Sequence, residues 1–154
     1  MTPSTSPLVS SRETSTFRFT NTEHSPTTSV TIDCNSPFDE VLTPGTVITS
    51  PNYPNSYANN LDCEMTIRFS ESTKVLIEFD PTFEIEYSSY GCSYDYLEVY
   101  DGPSTDSPIG GSKICGSSAP APIQSTGNSM KLIFHTDSSE TKTGFKITAS
   151  AGKF

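Results

Sequence analysis

The chain has 154 residues, enough for one domain with or without a tail, and its 18 acids against 9 bases give a formal net charge of −9 at pH 7. That balance repels nucleic-acid phosphates and anionic lipid, and it suits cations, either a metal ion or the basic side chains of a partner. Only 32% of the residues are hydrophobic and Trp is absent, so the 9 Phe and 7 Tyr must supply the large buried areas of a core.

Residues 1–32 hold 16 Ser or Thr and three Pro, with few apolar residues and no periodicity. Such a segment buries too little surface to offset its ordering entropy, so it reads as a disordered linker that suits O-glycosylation. No Asn-x-Ser/Thr sequon occurs, because Asn35-Ser36-Pro37 fails at its third position. The opening MTPSTSPLVSS has neither the basic start nor the apolar run of a signal peptide. No stretch approaches the ~18–20 apolar residues of a membrane span. The four charges of this segment cancel, and the remainder carries 16 acids against 7 bases.

A domain is expected over 33–151, with 152–154 as its C-terminal end. Pro44-Gly45 marks a turn before the β-branched run Val47-Ile48-Thr49. Strand candidates with a period of two follow: Met65, Ile67 and Phe69; Val75, Ile77 and Phe79; Leu97 and Val99; Met130, Leu132 and Phe134; Phe145 and Ile147. Turn signals separate them at Asp101-Gly102-Pro103, Gly110-Gly111, Gly127-Asn128 and Thr143-Gly144. Helical spacing of apolar residues is nowhere sustained. The pattern predicts an all-β chain, an antiparallel two-sheet β-sandwich.

Four cysteines, Cys34, Cys63, Cys92 and Cys115, form no CxxC pair, and only His24 and His135 are available as imidazole ligands. Zinc is therefore poorly supported, and two disulfides formed in an oxidising compartment are the better reading. Three connectivities are possible. Secretory cysteine usage without a leader reads as a fragment, an internal domain of a larger secreted or membrane-anchored protein, or an incomplete gene model.

Catalytic constellations are weak. Glu84 and Glu86 resemble a glycosidase acid pair only in being two carboxylates, since residues i and i+2 on a strand merely share a face. A Ser-His-Asp arrangement would need His24, in the linker, or His135, beside strand residues. Tyr87, Tyr90, Tyr94, Tyr96 and Tyr100 form an aromatic cluster that suits a binding face or core packing equally.

The ordered elements Cys34, SPNYPNSY at 50–57, Cys63, FEIE at 83–86, CSYDYLEVYDG at 92–102, Cys115-Gly116, KLIFHTD at 131–137 and Gly144-Phe145 resemble the CUB domain of extracellular proteins. The resemblance covers about residues 34–151. It implies a jelly-roll-like sandwich, disulfides Cys34–Cys63 and Cys92–Cys115, and a role in protein–protein interaction rather than catalysis. It further implies a calcium site at one end of the sandwich, with Glu86, Asp95 and Asp137 as carboxylate ligands, the Ser139 carbonyl as a further ligand and Tyr57 as support. A partner would engage that site through a Lys or Arg.

The chemistry agrees with the residue types. Calcium takes 6–8 oxygen ligands, and three acids supply −3 against its +2, with water completing the shell. Without an ion the same carboxylates repel, which raises at least one pKa. The leading reading is an extracellular calcium-dependent protein-binding module, with a metal-independent carbohydrate-binding or adhesion module as the alternative. A substrate-recruiting part of a secreted protease is compatible with the first.

Overall fold

The computed structural model describes residues 28–152, so most of the segment expected to be a linker lies outside the described residues. Ten strands follow: β1 (Ser29–Thr31), β2 (Phe38–Val41), β3 (Thr46–Thr49), β4 (Asp62–Arg68), β5 (Val75–Phe79), β6 (Tyr96–Asp101), β7 (Pro108–Ile114), β8 (Ile123–Gln124), β9 (Ser129–His135) and β10 (Lys146–Ala151). They form two five-stranded sheets, ordered β1-β3-β10-β5-β8 and β2-β4-β9-β6-β7. The inner strands pair antiparallel as expected, whereas the edge pairs β1–β3 and β2–β4 are parallel.

The period-two runs place their apolar members where predicted. Met65, Ile67, Val75, Ile77, Leu97, Val99, Met130, Leu132, Phe134, Phe145 and Ile147 are all buried between the sheets. Their alternates Arg68, Glu78, Glu98 and Lys131 stay at least partly in water. Each large apolar side chain removed from water contributes about 1.5–3 kcal/mol against the entropy of ordering the chain. Phe134 sits at the centre, edge-on to Tyr57 at 5.1 Å and to Phe145 at 5.2 Å between ring centroids.

Four elements, β1, β2, β7 and the two-residue β8, lack that signal. Strand β1 begins inside the stretch read as linker, pairs with β3, and leads into Ile32, which is buried and bonded through its amide to the Thr49 carbonyl at 3.0 Å. Strand β2 is a mostly exposed edge whose Asp39 forms a bidentate pair with Arg68 of β4, at 3.1 and 3.0 Å. Charged side chains on an edge discourage pairing with another chain. Gly110-Gly111, read as a turn, lies within β7, where the register against β6 shifts. Gly110 has φ +77°, and the Ile123 side chain of β8 fills the space its Cβ would need. That glycine serves a bulge and a close approach rather than a chain reversal.

One end of the sandwich is stitched around residues 83–86. Glu84 exchanges two backbone hydrogen bonds with Gly144 (2.9 and 2.8 Å), and Ile85 exchanges two with Gly116 (2.9 and 2.8 Å). Gly144 has φ +92°, and a Cβ there would lie 2.8 Å from the Ser50 Cβ and closer still to its hydroxyl. The Ser50 hydroxyl occupies that space because it accepts the Phe145 N–H at 3.0 Å. The disulfides are Cys34–Cys63 and Cys92–Cys115, closing separations of 29 and 23 residues.

Candidate metal centre

Three separate segments deliver the acids. Glu86 ends the stitched 83–86 segment, Asp95 immediately precedes β6, and Asp137 follows β9 by two residues. Glu86 and Asp95 are buried, Asp137 is half-buried, and one carboxylate oxygen from each lies within 4.8 Å of the others. Among the described residues this is the only group of three or more potential metal ligands.

Hydrogen bonds fix Asp95 from both sides. Its Oδ2 accepts the Tyr57 hydroxyl at 2.7 Å, and its Oδ1 accepts the Asp137 amide at 2.8 Å. The same Tyr57 oxygen accepts the Glu86 N–H at 3.1 Å, so one buried phenol joins two of the three acid-bearing segments. Tyr57 itself is anchored by its amide to the Lys142 carbonyl at 3.0 Å. The Asp137 Oδ1 accepts the Ser139 amide at 3.1 Å, which ties Ser139 to the cluster through its N–H.

Glu86 differs from its neighbours. Its Oε1 is buried and has no hydrogen-bond partner. Burial pushes the Glu86 carboxyl up to about 7, helped by the charges of Asp95, Asp137 and Glu140 and opposed by Lys142. The Asp95 carboxyl is also raised, by burial, although the donors from Tyr57 and Asp137 hold it back. Burial and the bond to Asp95 raise the Tyr57 phenol, which stays a neutral donor. The donor set is entirely oxygen, with three carboxylates converging and one buried oxygen unsatisfied. That chemistry fits a hard divalent cation such as calcium and offers nothing to a soft, thiolate-seeking metal.

The other sequence candidates fall elsewhere. Glu84 is outside the acid group, and its backbone bridges to Gly144. The His135 Nδ1 pairs with Asp62 at 2.6 Å and its ring stacks on Tyr96 at 5.0 Å, a structural role on the outer sheet face. His24 lies outside the described residues. The tyrosines divide: Tyr96 and Tyr100 are half-buried on β6, while Tyr87, Tyr90 and Tyr94 are exposed.

Sequence reasoning passed over the residues that hold the Asp137 loop. Thr136 Oγ1 accepts the Leu61 amide at 2.8 Å and donates to the Ala58 carbonyl at 2.9 Å. Asn60, in the left-handed region at φ 60°, donates its amide to the Asp137 carbonyl at 2.7 Å. The one signal available was Asn59-Asn60, a residue type that tolerates that conformation.

The CUB domain model matches residues 34–148. Mannan-binding lectin serine protease 1 of Homo sapiens is 32% identical over 136 residues, covering 87% of this chain and 18% of that protein. Tolloid-like protein 1 of Mus musculus is 37% identical over 111 residues, covering 72% and 11%. Cubilin of Canis lupus familiaris is 41% identical over 105 residues, covering 68% and 3%. The chain thus spans only a small part of these curated relatives. Among solved structures, the MASP-1 CUB2 domain bound to Ca2+ has a TM-score of 0.66 at 29% identity, covering 77% of this chain and 100% of that one. The full extracellular region of zebrafish Gpr126/Adgrg6 has a TM-score of 0.62 at 32% identity, covering 79% and 15%. CUB domains are non-catalytic interaction modules, and the matched stretches are the CUB regions of larger proteins. The chain, sandwich and disulfides included, belongs to the CUB domain family.

Proposed function

We propose that this CUB domain is an extracellular, calcium-dependent protein-binding module, part of a larger secreted or membrane-anchored protein. Glu86, Asp95 and Asp137 would hold the ion, with the Ser139 carbonyl as a further ligand and Tyr57 as the brace. The observation that carries the reading is the buried Glu86 Oε1, which has no partner and stands beside two more carboxylates. An unpaired buried polar atom costs about 1–3 kcal/mol, and a cation at this point removes that cost. Bound calcium would supply +2 charge against the three carboxylates. The residual negative charge then attracts a Lys or Arg of the partner, as the chain's net charge of −9 favours. The calcium-bound MASP-1 CUB2 neighbour supports the choice of ion, and two disulfides support an oxidising, extracellular setting.

Glu86→Gln is the cleanest test, because that carboxylate has an oxygen that holds nothing else. Calorimetry should show one calcium bound by the wild type, with an apparent Kd in the ~10⁻⁴–10⁻³ M range of extracellular modules. At free calcium tenfold above Kd, thermal unfolding should gain about 1.4 kcal/mol. Glu86→Gln should lose both the heat and the gain while remaining folded in chelator. A wild type with no calcium heat and no shift in Tm overturns the reading.

A further inference from the structure

A serine or threonine accepts a phosphoryl group when its hydroxyl is exposed, its segment can be drawn into a kinase, and nearby charges pair with the kinase's own side chains. Five hydroxyl residues among those described have an acid two positions on: Thr31, Thr82, Ser93, Ser104 and Ser138. The structure separates them. Thr31 lies within β1 and is held in the sheet by pairing with β3. The Thr82 hydroxyl donates to Asp80 at 2.7 Å, the Ser93 hydroxyl to the Tyr90 carbonyl at 3.0 Å, and the Ser104 hydroxyl to Asp106 at 3.0 Å. Ser138 is exposed, and its hydroxyl has no hydrogen-bond partner among the described residues.

The segment around Ser138 is also free to be drawn out. Residues 138, 140 and 141 make no backbone hydrogen bond among the described residues. The Asp137 Oδ1 accepts the Ser139 amide at 3.1 Å, a local turn that leaves Ser138 at the tip of the loop. Glu140 stands in the left-handed region at φ 61° and is exposed. No Lys or Arg lies between Lys131 and Lys142, so the acids directly before Ser138 and two residues after it dominate its local field.

We propose that Ser138 is a phosphorylation site for an acidophilic serine kinase of the secretory lumen, with Glu140 as the charge that the kinase reads. Two disulfides suit passage through that oxidising compartment. In the reaction the Ser138 Oγ bonds to the γ-phosphorus of ATP and its proton goes to the kinase's base. The bond from that phosphorus to the β–γ bridging oxygen breaks, and ADP leaves. The product carries about −1.5 to −2 of added charge and three acceptor oxygens beside Asp137. In the ion-free fold this charge repels Glu86, Asp95, Asp137 and Glu140. A bound divalent cation reverses the sign, because more negative charge around the ion tightens its binding. The effect on calcium rests on the metal reading of the site, whereas the modification itself does not.

The test incubates the whole chain with a purified lumenal kinase of Ser-x-Glu specificity and Mg-ATP, and follows the intact mass and the masses of proteolytic fragments. A synthetic Ser-x-Glu peptide shows that the kinase is active. Ser11-Arg12-Glu13 fits the same pattern outside the described residues, so the fragment masses assign the site. The expected product carries phosphate at Ser138. Ser138→Ala should lose that phosphate and, because the hydroxyl holds nothing, keep the wild-type Tm. Glu140→Gln should slow the reaction about tenfold or more, the worth of one charge-assisted contact. Glu84→Gln, which removes the acid two residues after the tied Thr82, should leave the rate unchanged. By calorimetry the phosphorylated chain should bind calcium about three- to tenfold more tightly than the unmodified chain at physiological salt. An active kinase that leaves Ser138 unmodified, or modifies Ser11 alone, overturns the site. Phosphate at Ser138 with unchanged calcium affinity overturns the coupling. Phosphate at Ser138 on a chain that binds no calcium in either form upholds the site and refutes the metal reading instead.

Discussion

Tyr57→Phe removes one atom from the centre of the acid site and almost nothing else. The ring is 1% exposed and packs edge-on against Phe134, contacts that Phe retains. Two hydrogen bonds disappear. The one to the Asp95 carboxylate, at 2.7 Å, belongs to the charge-assisted class worth about 1.5–3 kcal/mol. The one from the Glu86 amide, at 3.1 Å, belongs to the neutral class worth about 0.5–1.5 kcal/mol, and its loss leaves a buried N–H without that acceptor. The expected destabilisation is therefore about 2–4 kcal/mol, less than the ~5–15 kcal/mol that holds a domain folded. With a urea m-value near 2 kcal/mol/M, the unfolding midpoint in chelator should fall by about 1–2 M with an unchanged slope. The positions of Glu86 and Asp95 also depend on this phenol, so calcium affinity should drop about 10–100-fold, the usual cost of losing a group that orients a ligand. A variant within about 0.5 kcal/mol of wild type, with wild-type calcium affinity, would refute the claim that the hydroxyl braces the site.

Three further outcomes are expected. In chelator, the Glu86 carboxyl titrates at about 7 in the fold, against 4.5 as its ordinary value, so the folded state binds that proton more tightly. The contribution is fully present below about pH 4.5 and is lost as pH rises through 7. Such a shift carries at most roughly 3 kcal/mol, reduced to about 1 kcal/mol by solvent at the end of the sandwich. Wild type minus Glu86→Gln in urea titrations from pH 5 to 8 should show that fall, and a flat difference would count against it. Gly144→Ala forces a Cβ into the Ser50 side chain at φ +92° and should cost more than about 2 kcal/mol by chemical denaturation. Replacing Cys92 and Cys115 together by Ser opens a 23-residue separation, costs about 3 kcal/mol in thermal or urea unfolding, and weakens calcium binding by freeing the loop that carries Glu86 and Asp95.

What the sequence disclosed tracks where burial is one-sided. Runs such as Met65-Thr66-Ile67 and Met130-Lys131-Leu132 announced β4 and β9, because an inner strand with one face on the core must alternate. Strand β2 was hidden, because an exposed edge reading Phe-Asp-Glu-Val has nothing to alternate against. Strand β7 was hidden by Gly110-Gly111, whose reading as a turn is reasonable until Ile123 is seen to occupy the vacant Cβ position. Strand β1 was hidden by composition, since three residues among Ser and Thr gain their place only by pairing with β3. The three acids were legible through the ordered motifs around them. Tyr57 was legible as their support through the same motifs, but the hydrogen bonds of Thr136 and Asn60 were not, because they act across separations that no local pattern records.

The three acids are not equivalent, and the difference decides how the site is to be dissected. Both Asp95 oxygens already hold donors, from Tyr57 and from the Asp137 amide, so Asp95 organises the loops whether or not an ion is present. Asp137 similarly orders Ser139 through one oxygen. Glu86 alone brings a buried oxygen with nothing to bind. Removing Asp95 would collapse two loops together with any ligand set, and its loss of calcium binding would not separate a metal role from a folding role. Removing the Glu86 charge touches only the unsatisfied group. The energetic strain of the ion-free site is therefore concentrated on Glu86, where desolvation and three neighbouring acids act together. If calcium relieves that strain, saturating calcium should reverse the sign of the Glu86 pH dependence, because the bound ion favours the ionised carboxylate that the ion-free fold disfavours.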